Sequence, residues 1–136
     1  MNGIYDLKIK NVPEEVEEHG VKSTVYVDKA FPLKFGMHAI AALEQRTAKG
    51  GVSLDTTEGY AKFLSDLMYC GMYGNSVRND LAIRPYAECM DLFELLATQD
   101  DAAEQYSAMT KCYFDSIADI RDKKEVKEDT DKKKAK

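Results

Sequence analysis

Between Thr24 and Lys49 the chain changes its hydrophobic period, and that change constrains the fold more than any other stretch. Thr24–Val27 is β-branched and aromatic, which suits a pleated, half-buried surface. Asp28 and Lys29 are polar and stand where a turn is expected. They are not the Asn-Gly or Asp-Gly of a tight two-residue hairpin, so a longer loop is predicted. Phe31, Leu33 and Phe35 then alternate with Ala30, Pro32 and Lys34, the period of a strand with one buried face. Pro32 has no N–H for a ladder, which puts this strand on an edge or leaves the position unpaired. Gly36 breaks the pattern, and from Met37 to Leu43 little polar surface is left. A helix apolar on several sides is a buried one, and Gly50-Gly51 ends it. The expectation is a strand pair near 23–27 and 30–35 that runs into a central helix over 37–48.

The flanking segments read as follows. Tyr5, Leu7 and Ile9 alternate with Asp6, Lys8 and Lys10, so residues 1–20 hold a third strand or an ordered arm. Glu14, Glu15, Glu17 and Glu18 between Pro13 and Gly20 suit an acidic turn of helix or a loop. Asp55 followed by Glu58 has capping-box spacing. Tyr60, Phe63, Leu64, Leu67 and Met68 then form an amphipathic stripe, with a predicted stop at Gly71–Asn75. Tyr69, Met72 and Tyr73 lie off that stripe. They pack against a second neighbour or form a partner-binding patch, because Tyr and Met are enriched at interfaces. Pro85 is placed as the first residue of a third helix, and Asp100 stands near the start of a fourth. Helices are predicted near 56–73, 85–97 and 100–120. Phe35, Ile40, Leu43, Phe63, Leu64, Leu67, Met90, Phe93, Tyr113 and Ile117 are the expected core.

The fold class is therefore α+β and mainly α: a small N-terminal β-hairpin, then about four packed helices. Residues 1–20 are an arm or extra strand, 21–120 one helical domain with its strand pair, and 121–136 a disordered charged tail. That tail has eight Lys/Arg against five Asp/Glu, so the body carries −8 of the net −5. An acidic body argues against a phosphate-tracking surface, so no nucleic-acid partner is expected. The longest apolar run, Ala39–Leu43, is far too short to span a bilayer, and the first ten residues lack the apolar centre of a secretory signal. Cys70, Cys89 and Cys112 are odd in number and widely spaced, which fits buried thiols in a reducing compartment.

No catalytic constellation emerges. His19 and His38 have no ligand-spaced partners, and His38 is expected in the core or at its boundary. Nucleophile, P-loop and dinucleotide motifs are absent. Asp100, Asp101 and Glu104 suit a helix start. The chain is read as non-enzymatic, with no cofactor and no metal.

Pro32, Leu33, Lys34, Phe35 and Gly36, followed by Ala42, Leu43 and Glu44, form a segment that resembles the start of the small tail assembly chaperones of long-tailed bacteriophages. Tyr69-Cys70-Gly71 is similar to a Tyr-x-Gly stop in that family. The match covers about a fifth of the chain in detail. The resemblance implies a protein without catalytic residues that coats the aggregation-prone tape measure protein during tail assembly. It also implies a homo-oligomer acting in the bacterial cytoplasm and absent from the mature virion. A frameshift-extended form is a further implication, for which Lys132, Lys133 and Lys134 offer codons for a slippery run. A helical adaptor or regulator of phage, prophage or bacterial origin is the alternative reading, and an enzyme with scattered acids and tyrosines is a third.

Overall fold

A computed structural model describes residues 3–50 and 55–134, with side chains for 3–47 and 55–121. Among the described residues the order is β1 (Ile4–Glu18), β2 (Val21–Lys34), α1 (Met37–Gly50), α2 (Thr57–Arg78), α3 (Tyr86–Ala97) and α4 (Ala102–Lys134). The architecture is α+β and mainly helical, a two-stranded antiparallel hairpin followed by four helices. No helix among these residues is long and apolar enough to cross a membrane.

The hairpin is much longer than expected and is paired differently. Residues 21–34 form one strand, so Asp28 and Lys29 lie inside β2 and make no turn. Its partner is β1, in a register that runs from Ile4 opposite Lys34 to Glu18 opposite Val21. The turn falls at His19 and Gly20, both in the left-handed region (φ 52° and 79°), as a type I′ turn requires. The acidic stretch expected as helix or loop is therefore strand. Glu is a poor strand former, but here its side chains stay in water and the register supplies the backbone partners.

One irregularity divides the hairpin. Lys10 and Asn11 together face Asp28, a bulge in which Asn11 takes φ 60° and its N–H donates to Asp28 Oδ1 at 3.2 Å. Below the bulge lies the base, where Leu7, Ile9, Phe31 and Leu33 are buried. Above it the ribbon becomes an arm whose side chains are exposed from Glu17 to Tyr26. Two-stranded ribbons leave both edges unpaired. At the base, the β1 edge is covered by side-chain amides that imitate a third strand. The Gln105 amide N–H donates to Lys8 O, and its carbonyl accepts from the Lys8 N–H and the Tyr5 hydroxyl. Gln99 repeats the arrangement at Lys10, donating at 3.0 Å and accepting at 3.1 Å.

The helices close the core against the base: α2 packs on β2 and α1, while α3 and α4 pack on β1. In α1, Ala39, Ile40 and Leu43 are buried, whereas Met37, His38 and Ala41 are exposed. The helix thus buries one face, and His38 lies outside the core, because alanines at 41 and 42 tolerate either environment. The α2 cap is Thr56, one residue beyond the expected Asp55; its hydroxyl accepts from Gly59 N–H at 3.0 Å. The predicted stop at Gly71–Asn75 does not occur, and α2 continues to Arg78. Both glycines are buried where the helix crosses the end of β2. A Cβ at Gly74 would lie 2.3 Å from the Lys34 carbonyl oxygen, and one at Gly71 2.9 Å from Leu33 Cβ and the Phe35 ring. Pro85 is the N-cap of α3 rather than its first residue. The α4 backbone runs to Lys134, past the expected end at 120, with the charged segment continuing the helix. Lys132, Lys133 and Lys134 lie outside the described side chains.

Of the expected core, Phe35, Ile40, Leu43, Leu64, Leu67 and Tyr113 are buried, while Phe63, Met90, Phe93 and Ile117 are half-buried at its margin. Leu7, Ile9, Phe31, Leu33, Met68, Leu96, Met109 and the three cysteines are also part of it. The cysteines are free thiols. Burial pushes Cys70 up to about 12 and Cys89 up to about 11, from an ordinary 9.0. Thiolate is the reactive form, so native Cys70 and Cys89 should resist alkylation at pH 8 and react on unfolding. The linkage has a sign. A raised folded pKa gives stability that is present below the unfolded value of 9.0 and lost as pH rises towards 11–12. Denaturation midpoints should therefore fall above pH 9, and rapid alkylation of all three native thiols would contradict this burial.

Candidate interaction surface

The root of the arm is where the surface turns concave. Phe31 comes from β2 and is almost buried, and the Arg84 guanidinium stands over its ring at 5.2 Å. The short segment between α2 and α3 delivers Arg84, and an ion pair to Glu88 at 2.5 Å one turn into α3 holds it there. A hollow opens on each side of this stack. One, of about 430 Å³, lies between the hairpin and α3, with Val12, Tyr26, Leu92 and Leu95 among its walls. The other, of about 340 Å³, lies between β2 and the end of α2, with Pro32, Met72 and Leu81 among its walls. Charged groups rim them: Lys29, Glu88 and Asp91 stand around the first. Lys29 is paired with Glu14 across the ribbon, which helps hold the arm at its root. Tyr26, Leu81 and Ile83 are 68%, 57% and 51% exposed, an unusual density of large apolar side chains in water.

Behind this surface a buried ionic knot ties three helices together. Asp66 of α2 is fully buried. Its Oδ1 accepts from Arg46 Nε of α1 at 3.2 Å and from the Tyr86 hydroxyl of α3 at 3.2 Å. Its Oδ2 has Lys62 Nζ at 3.8 Å and accepts no hydrogen bond. The Arg46 guanidinium lies over the Tyr86 ring at 4.2 Å and the Tyr69 ring at 5.0 Å. Burial works against the Arg46 charge, but the hydrogen bonds to Asp66 and Tyr86 outweigh it and raise its pKa.

The three side chains singled out from sequence therefore have different surroundings. Met72 is 6% exposed, with its sulfur 3.7 Å from Cys89 Sγ, and forms part of the floor of the smaller hollow. Tyr69 is half-buried, edge-on to Tyr86 and under Arg46. Tyr73 is half-buried one turn further along α2. Phe31, Arg84, Leu92, Leu95 and Tyr26 were not anticipated as surface-forming. Phe31 read as part of the buried face of a strand, and the signal that marks the site, an aromatic under an arginine, joins residues far apart in sequence.

The surface offers apolar contact and rim charge, which suit binding. Its residues include no histidine: His19 is in the arm turn and His38 on the exposed side of α1. Among the described residues, no three His, Cys, Asp or Glu side chains converge to hold a metal ion. Comparison with protein-family models, curated proteins and solved structures finds no match to this chain.

Proposed function

We propose that this chain is a non-enzymatic phage tail assembly chaperone that holds the long, helical tape measure protein in solution while a tail is built. The observation that carries the reading is the pair of hollows beside the Phe31–Arg84 stack. An amphipathic helix presents apolar anchors about one turn apart, and two neighbouring hollows with mixed polar and apolar walls and a charged divider suit two such anchors. The body's charge of −8 keeps the loaded complex soluble. Such a protein works in the bacterial cytoplasm and leaves before the virion matures. An adaptor for another helical partner would use the same surface, and the identity of the captured protein separates the two readings.

Co-expression with a long, helical tape measure protein tests the proposal. The partner should become soluble and co-purify. The Tyr26→Asp/Leu81→Asp variant alters only exposed positions, so it should fold normally. It should capture the partner about tenfold less well, equivalent to about 1.4 kcal/mol. A partner equally soluble without this chain, or held equally well by the variant, would overturn the reading.

A further inference from the structure

Three side chains belong to both hollows: Lys29, Phe31 and Arg84. They form the ridge between them, an aromatic with two cations beside it. Lys29 stands where the strand pattern calls for an apolar residue. It is opposite Ile9 in the register and two positions from Phe31, so it shares the inward face of the hairpin with both. Ile9 is fully buried and Phe31 nearly so, whereas Lys29 is exposed at the lip of that face. Arg84 reaches the same ridge from the segment between α2 and α3 and lies over the Phe31 ring. Two elements far apart in sequence thus bring positive charges together, on a body whose net charge is −8.

The charge around the ridge is uneven. Among the described residues that line the smaller hollow, Lys29 and Arg84 are the charged ones, and the others, Asn75, Ser76 and Met72 included, are neutral. Glu88 and Asp91 stand at the α3 wall of the larger hollow. Each cation has an acidic partner, Glu14 for Lys29 and Glu88 for Arg84. Both pairs are partly exposed, and such pairs are weak, so an incoming carboxylate can share either cation at little cost. A helix laid over the ridge takes both cations out of water. A purely apolar helix would strip them of solvent and give them no new partner. A lysine on that helix would add repulsion. A carboxylate turns the same burial into a gain, because opposite charges attract more strongly where water is excluded.

We propose that Lys29 and Arg84 select the partner helix by charge: it carries an aspartate or glutamate beside the apolar anchor that enters the smaller hollow. This selection rests on a helix docking at the two hollows, and it adds the side chain that the helix must bring. Three blocked helical peptides of about 18 residues test it, all with one leucine stripe, and with glutamate, glutamine or lysine flanking the stripe. Fluorescence anisotropy reads the binding. Wild type should bind the glutamate peptide about tenfold more tightly than the lysine peptide, with the glutamine peptide between them. The body's −8 attracts the lysine peptide at long range, so this order has to come from local cations. The Lys29→Gln/Arg84→Gln variant should lose the preference for glutamate. The Lys29→Arg/Arg84→Lys variant keeps both charges and should keep the preference, and circular dichroism checks that both variants are folded. A wild type that binds the three peptides alike, or prefers lysine, overturns the charge selection. Helix docking survives that result if Tyr26→Asp/Leu81→Asp weakens all three. A glutamate preference that persists in the Gln variant also overturns the selection, because other cations would then be responsible. If no peptide binds, the selection falls, and co-expression with the tape measure protein decides the docking reading separately.

Discussion

Replacing Gly74 with alanine is expected to destabilise the protein by about 3 kcal/mol, the upper end of what overpacking usually costs. Helix propensity alone predicts the opposite sign, since alanine in a helix interior is favoured over glycine by about 1 kcal/mol. Packing decides the matter. The added Cβ would stand 2.3 Å from the Lys34 carbonyl oxygen and 3.0 Å from Ala39 Cβ. The first neighbour is backbone at the end of a paired strand and cannot swing aside. Either α2 retreats from β2 and opens the core around Leu33 and Phe35, or the junction into α1 moves. Gly71→Ala should cost less, because its nearest neighbours, Leu33 Cβ and the Phe35 ring, stand further off at 2.9 Å. Urea denaturation would read both. A Gly74→Ala protein as stable as wild type, or more stable, would mean that the helix does not cross the strand this closely.

Arg46→Ala should cost a similar amount, about 3 kcal/mol, the lower end of the range for stranding a buried charge. Asp66 is fully buried, and Arg46 makes its closest cationic contact, at 3.2 Å. Lys62, at 3.8 Å and half-exposed, compensates in part, which is why the lower end applies. The substitution also removes the cation from the faces of Tyr69 and Tyr86, a smaller loss of about 0.5–1 kcal/mol. The pair is testable as a cycle. Arg46→Met/Asp66→Leu removes both charges and should recover much of the loss, so the two single effects should not add. Strict additivity would mean that Asp66 is satisfied independently of Arg46.

Much of the helical part was readable from local pattern. The stripe Phe63, Leu64 and Leu67 placed α2. Phe35 and Leu43 were correctly buried on either side of the strand-to-helix break, and the spacing of three cysteines pointed to buried thiols. In each case the residue's own polarity and its neighbours three or four positions away decide whether it faces water. That information is local. The candidate surface was much less legible. Tyr69, Met72 and Tyr73 drew notice through composition, yet of the three Met72 alone lines either of these two hollows, and Phe31 and Arg84 gave no sign of meeting.

What the sequence determined by itself was the order and type of the helices, the one-sided burial that each demands, and the acidic charge of the body. Tertiary structure alone decided the long arm, because four glutamates look like loop until β2 supplies the register that makes them strand. It alone carried α2 through Gly71 and Gly74. A glycine reads as a helix stop from its own propensity, and as a crossing point only when the Lys34 carbonyl is pressed against it. The same holds for Asp66, which is polar by type and buried where Arg46 and Tyr86 arrive from two other helices to bond its Oδ1. Strand partners, helix crossings and buried ion pairs depend on residues distant in the chain, and local periodicity carries no record of them.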